Sequence, residues 1–120
     1  MSKSKPTNRK TEKAVLIRDI VFVGSALKDL KALPQVVRDA FAVALTAAQH
    51  NQVPTLDFKH LHVSKGNSAI ELKINGRPAY RVVYTTKAPG KVHVLYAGKK
   101  TAQGTDRQLI ETVEARLKSI

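Results

Sequence analysis

The sequence has no cysteine and no tryptophan, and only 5% of it is aromatic. Without thiols it can build neither a disulfide nor a thiolate metal centre, and a reducing cytoplasm is the expected compartment. With so few rings, Leu, Val, Ile and Ala have to fill the core. No apolar run approaches the roughly 20 residues needed to cross a bilayer, so no membrane role is expected. The opening MSKSKPTNRKTEK is basic but lacks the apolar stretch of a signal peptide. Acids are scarce as well. Nine Asp and Glu stand against 21 Lys and Arg, a formal net charge of +12. Such a balance draws a small protein to polyanions, nucleic acid above all.

Several catalytic signatures are also missing. GNSAIELKING has neither the spacing nor the strand–turn–helix setting of a phosphate-cradling loop. There is no Gly-x-Ser-x-Gly elbow and no carboxylate pair of the kind a hydrolase uses for acid and base. Asp29 and Asp39 fall in helical segments and read as surface charge. His60 and His62 flank Leu61 in an expected loop, and two histidines without a third ligand do not make a metal site. No metal and no cofactor are expected. Any chemistry has to be carried by cations with at most one or two His or Tyr residues.

At 120 residues the chain is long enough for one domain. Residues 1–13 are polar, lack apolar periodicity and read as a flexible basic arm; 14–120 read as a single domain. AVLIRDIVFV (14–23) has the branched aliphatics of a buried strand, bounded by Gly24. Ser25 reads as a helix N-cap, followed by a short helix with Leu27, Leu30 and Leu33 on one face. Pro34 suits the first turn of a second helix, about 34–51, with Val37, Phe41, Ala44, Leu45 and Ala48 on its apolar stripe. QVPTLDFKHLHVSKGNS is expected to be a long polar connection. AIELKI (69–74), AYRVVYTT (79–86) and KVHVLYA (91–97) alternate as strands, with Asn75-Gly76 as a hairpin signal and Gly98 ending the sheet. Residues 106–120 repeat Leu109/Ile110, Val113, Leu117 and Ile120 at helical spacing. The predicted order is β-α-α-β-β-β-α, an α+β fold.

Side-chain alternation separates two faces of this sheet. Ile70, Leu72, Ile74, Val82, Tyr84, Val92 and Val94 share one, which helices are expected to cover. Glu71, Lys73, Arg81 and His93 share the other, with Lys99 and Lys100 at its rim. Between Lys59 and Lys100 the only acid is Glu71. An antiparallel sheet with helices on one side leaves its second face open to water. The expectation is therefore an open basic face able to grip phosphates, with a Glu71–Arg81 ion pair as the alternative use of Arg81. Tyr80 and Tyr84 are expected in the core.

The ELK at 71–73, the YRVVY at 80–84 and the Lys-Lys-Thr at 99–101, in this order behind VFVGSALKDLKALPQVVRDAFAVAL, resemble the RelE/ParE toxin superfamily. The phage-derived, HigB-like branch is the nearest, and the resemblance covers about residues 15–118. It implies a small toxin of a type II toxin–antitoxin pair with a RelE-like fold. In many relatives the toxin cleaves mRNA in the ribosomal A site: the RNA 2′-OH attacks the adjacent phosphate and a 5′-OH leaves. Cations placed at the developing phosphorane charge and a proton-transfer group accelerate such a step. Carried over by position, Arg81 takes the phosphate-stabilising role, Lys73 closes the Glu-Leu-Arg-like motif, and Lys99 and Lys100 form the basic pair after the last strand.

HigB-like relatives often have a His near the end of the last strand and an aromatic two residues later; Tyr96 and Gly98 occupy those places. Tyr96, His93 and His62 are then the candidates for general acid. The expected catalytic set is Lys73, Arg81, Tyr96, Lys99 and Lys100, and the expected RNA-binding set is Lys59, Lys65, Arg77 and His93. The implied partners are a cognate antitoxin of the helix-turn-helix kind, mRNA and the ribosome. Two other readings fit the same residues: a ParE-like poison of gyrase or another protein target, and a basic nucleic-acid-binding domain without catalysis.

Overall fold

The computed structural model describes residues 17–63, 68–100 and 106–120; the expected arm at 1–13 and Lys65 lie outside them. β1 (Asp19–Phe22) is followed by α1 (Ala26–Lys31) and α2 (Gln35–Gln49). Then come β2 (Asp57–His62), β3 (Ser68–Ile74), β4 (Ala79–Thr85), β5 (Lys91–Lys100) and α3 (Arg107–Lys118). The strands form one sheet in the order β1-β5-β4-β3-β2. The α+β class is as expected, but the sheet is mixed: β1 runs parallel to β5, from Asp19 opposite Lys91 to Phe22 opposite Val94. No helix among the described residues is long and apolar enough to cross a membrane.

β2 occupies a stretch expected to be a loop. Its residues are mostly exposed, so it lacks the apolar run that marks a buried strand. It is held instead by antiparallel pairing along β3, with Lys59 opposite Glu71 and Leu61 opposite Ala69. His60 and His62 are thus strand residues. The hairpin at Asn75-Gly76 is real but wider than a two-residue turn: Ile74 faces Tyr80, and only Gly76 takes a positive φ. β5 does not stop at Gly98 either; it pairs with β4 through Lys100, opposite Ala79.

Two apolar clusters lie on opposite faces. The larger joins Leu30, Leu33, Phe41, Ala44, Leu45 and Ala48 from the helical hairpin to Leu72, Tyr80, Val82, Tyr84, Val92, Val94 and Ala97 of the sheet. Fully burying side chains such as Phe41 and Leu45 stabilises the fold by about 1.5–3 kcal/mol each. The α2 stripe is the predicted one. In α1 the first core contact is Ala26, while Leu27 is exposed. Ser25 precedes that helix without capping it by side chain; its hydroxyl donates to Asp29 Oδ2 at 2.7 Å.

The second cluster corrects the expectation of an open face. Leu109, Val113 and Leu117 of α3 pack on Leu61, Ala69, Val83 and Leu95, so the C-terminal helix covers part of the face opposite α1 and α2. Val83 and Leu95, which sit among the polar positions of that face, make it apolar enough to bury. A β-bulge creates the second of these. Val83 lies opposite Tyr96 and Tyr84 opposite Val94, which leaves Leu95 as an extra residue. Arg116 of α3 closes the gap, donating from Nη1 to the Leu95 carbonyl at 2.9 Å and from Nη2 to Ser25 Oγ at 3.1 Å. Gly24, at φ +59°, makes room for it: a Cβ there would stand 2.7 Å from Arg116 Nε.

Candidate functional site

Where α3 begins, its first turn and the ends of four strands enclose a half-open cavity of about 230 Å³. Its walls are Lys59 and Leu61 from β2, Glu71 and Lys73 from β3, Arg81 from β4 and Lys100 from β5. Asp106, Leu109 and Ile110 close it from above. The register explains the gathering, since Lys73 lies opposite Arg81 and Arg81 opposite Gly98. The side chains at 71, 73, 81 and 100 therefore project to the same side.

Glu71 organises the floor. Its Oε2 is 3.3 Å from Arg81 Nε and its Oε1 is 3.6 Å from Lys59 Nζ. Arg81 also donates from Nη1 to the Tyr80 carbonyl at 3.0 Å. Glu71 and Arg81 side chains are only 8% and 7% exposed, whereas Lys59 is 57% exposed. Arg81 is thus an anchored cation, with Nη2 as the one guanidinium nitrogen that has no partner among the described residues. Lys73 and Lys100 make no ion pair among those residues and supply the adaptable positive charge.

Asp106 is the N-cap of α3, accepting from the Leu109 amide at Oδ1, 3.0 Å away. Tyr96 packs against the second cluster. Its hydroxyl lies 2.9 Å from where a Gly98 Cβ would be, so the missing side chain at 98 lets the ring fold back along β5 toward the Arg81 position. Burial raises the Tyr96 pKa above the ordinary phenol value, and the charges of Asp106 and Asp29 add to this while Arg116 opposes it. The phenol is held in its protonated, donating form.

Of the residues proposed from sequence, Lys59, Lys73, Arg81 and Lys100 line this cavity. Lys99 does not: it lies opposite Tyr80 and projects to the α1–α2 side. Tyr96 is adjacent to the cavity rather than in its wall. Arg77 sits exposed in the 75–78 connection, at the Lys100 end of the sheet. His93 lies opposite Thr85, four residues along β4 from Arg81 and so about 13 Å beyond it; it does not line the cavity, and its Nδ1 is buried without a partner among the described residues. His62 pairs with Ser68 on the face opposite the cavity. His93 and His62 are therefore removed as acids for this site. The Glu71–Arg81 ion pair that the sequence offered as the alternative use of Arg81 is present. Residues that the sequence reading missed are Asp106 and the Leu109–Ile110 rim; a helix start after a Lys-Lys strand end was their only signal. Among the described residues no group of three or more His, Asp or Glu is placed to hold a metal.

A family model described as phage derived protein Gp49-like (DUF891) matches residues 28–118, which include every residue lining the cavity. The chain belongs to the Gp49-like family. Gp49-like proteins are a RelE-like toxin family of toxin–antitoxin systems, so the chain has the setting of a toxin with a cognate antitoxin. Comparison with curated proteins returns no match. In this Gp49-like chain the match begins within α1 and ends at the last residue of α3, so the helical hairpin, the sheet from β2 onward and the covering helix form the family unit.

Proposed function

We propose that this toxin is a ribosome-dependent endoribonuclease whose cleavage site is the cavity beneath α3. One observation carries the reading: Lys73, Arg81 and Lys100, from three different strands, converge on one wall beside a carboxylate-anchored floor. A scissile phosphodiester set against that wall would meet positive charge where the phosphorane develops it. Arg81, fixed by Glu71 and the Tyr80 carbonyl, loses little freedom on engaging a phosphate oxygen. Lys73 and Lys100 would follow the charge as it moves to the leaving side. Tyr96, kept protonated by burial, is suited to donate to the departing 5′-oxygen and unsuited to accept a proton. Lys59 and Arg77 at the margin would take flanking phosphates.

Burial and pairing of Arg81 favour a second reading, in which the cavity binds RNA or a partner's acidic segment without cleavage. The deciding experiment is global mapping of new 5′-OH RNA ends after brief induction in bacteria, with Lys100→Ala alongside. Lys100 is preferred over Arg81 because removing it leaves no buried charge behind. New ends inside reading frames that vanish in the variant are the expected result. Growth arrest with unchanged RNA would refute cleavage and turn attention to a protein target.

A further inference from the structure

Two of the nine acids of this +12 chain line its cationic cavity. A site built only to hold polyanions gains nothing from carboxylates, because each repels the phosphate it is meant to retain. Glu71 has a structural use, since both of its oxygens are engaged, one by Arg81 and one by Lys59. Asp106 is different. Its Oδ1 takes the Leu109 amide, and its Oδ2 has no partner among the described residues although the residue lines the cavity facing Lys73, Arg81 and Lys100.

Resting on the ribonuclease reading, we infer that Asp106 is the proton acceptor of the cleavage step. Its Oδ2 takes the proton of the RNA 2′-OH as the O2′–P bond forms. The P–O5′ bond breaks, and the 5′-oxygen receives a proton from Tyr96 or water. The products are a 2′,3′-cyclic phosphate and a 5′-OH, and the site is restored when Asp106 returns its proton to solvent and Tyr96, where it was the donor, takes one back. No oxidant or second substrate is required. The cap bond to Leu109 fixes the rotamer of Asp106, and Leu109 and Ile110 form the apolar rim beside it. The substrate class follows from the same geometry: a single strand, because the 2′-OH and its phosphate must enter beneath a helix where a duplex has no room.

The test is single-turnover cleavage of ribosome-bound mRNA by Asp106→Asn, with RNA affinity measured in parallel. Asn and Asp are equal N-caps, so the helix is retained; unchanged far-UV circular dichroism and urea midpoint verify this. The expected result is cleavage slowed by about 100-fold or more, the usual contribution of a positioned base, with RNA affinity equal or higher. Asp106→Gly, also a tolerated cap, is expected to regain activity with added formate, which supplies a carboxylate in trans. Asp106→Asn cleaving within about threefold of wild type, while Lys100→Ala does not cleave, would overturn the role of Asp106 and leave the ribonuclease standing. Loss of binding in place of cleavage would overturn it too. A wild-type protein that produces no 5′-OH ends would remove both.

Discussion

Arg81→Ala should destabilise the protein severely, before any effect on activity is considered. Its partner Glu71 is 8% exposed, and after the substitution would keep only Lys59 at 3.6 Å, a side chain 57% in solvent. An exposed lysine offers less than about 1 kcal/mol, too little to compensate a buried carboxylate. Breaking a buried pair from one side costs about 3–5 kcal/mol, against a total stability of about 5–15 kcal/mol. Taking the lower figure and a urea slope of about 1.5–2 kcal/mol per molar, the unfolding midpoint should fall by about 1.5–2 M. Glu71→Gln should fall by a similar amount, because it strands the guanidinium. The double variant Glu71→Leu/Arg81→Met should recover most of the loss, since an apolar pair of similar volume carries no desolvation penalty. Urea unfolding followed by circular dichroism gives all four corners of the cycle. A drop below about 1 kcal/mol for Arg81→Ala, or a double variant no better than the single, would refute the buried-pair reasoning. Loss of toxicity in Arg81→Ala, taken alone, therefore says little about catalysis.

Lys100→Ala, by contrast, should leave the urea midpoint nearly unchanged and reduce the slope of log affinity for single-stranded RNA against log salt by about 0.7, one phosphate contact, in a filter-binding titration. Gly98→Ala should cost little stability, because its Cβ meets the terminal hydroxyl of the partly buried Tyr96 at 2.9 Å; the displaced hydroxyl should instead lower cleavage, and unaltered cleavage would remove Tyr96 as the donor. Tyr84 and Tyr96 both have raised pKa values caused first by burial. The folded state then holds protons that the unfolded state releases above the ordinary phenol value of 10.0. Stability should be unaffected by these groups below that pH and fall as pH rises through it. Urea midpoints from pH 9 to about 11.5, with Tyr→Phe variants as controls, check the sign.

The larger apolar face was legible because its period is regular: Val37, Phe41, Ala44, Leu45 and Ala48 on α2, and the even-numbered residues from 70 to 94 on β3, β4 and the first half of β5, reach the same cluster. Lys73 and Arg81 were placed on the opposite face by the same alternation. β2 escaped notice because an edge strand with exposed Phe58, Lys59 and His60 draws its stability from pairing along β3, a contact absent from local sequence. The covering role of α3 was missed for a related reason. Its apolar stripe is evident, but which side of the sheet accepts it depends on Val83, Leu95, Leu61 and Ala69 being brought together from four strands.

The choice between the two terminal lysines shows most sharply where local pattern ends. Continued without interruption, the alternation of β5 would put Lys100 beside Val92 and Val94 and send Lys99 toward Arg81. The bulge at Leu95 adds one residue and reverses the phase, so that Ala97 and Lys99 join the α1–α2 side and Lys100 enters the cavity. Composition and periodicity by themselves determined a basic α+β domain with a charged strand face, since net charge and side-chain alternation are properties of the chain read in order. Which charges meet, which are neutralised by Glu71, and that Asp106 completes the wall were decided only by tertiary structure. Those facts depend on strand register, on a one-residue bulge and on the docking of a helix remote in sequence.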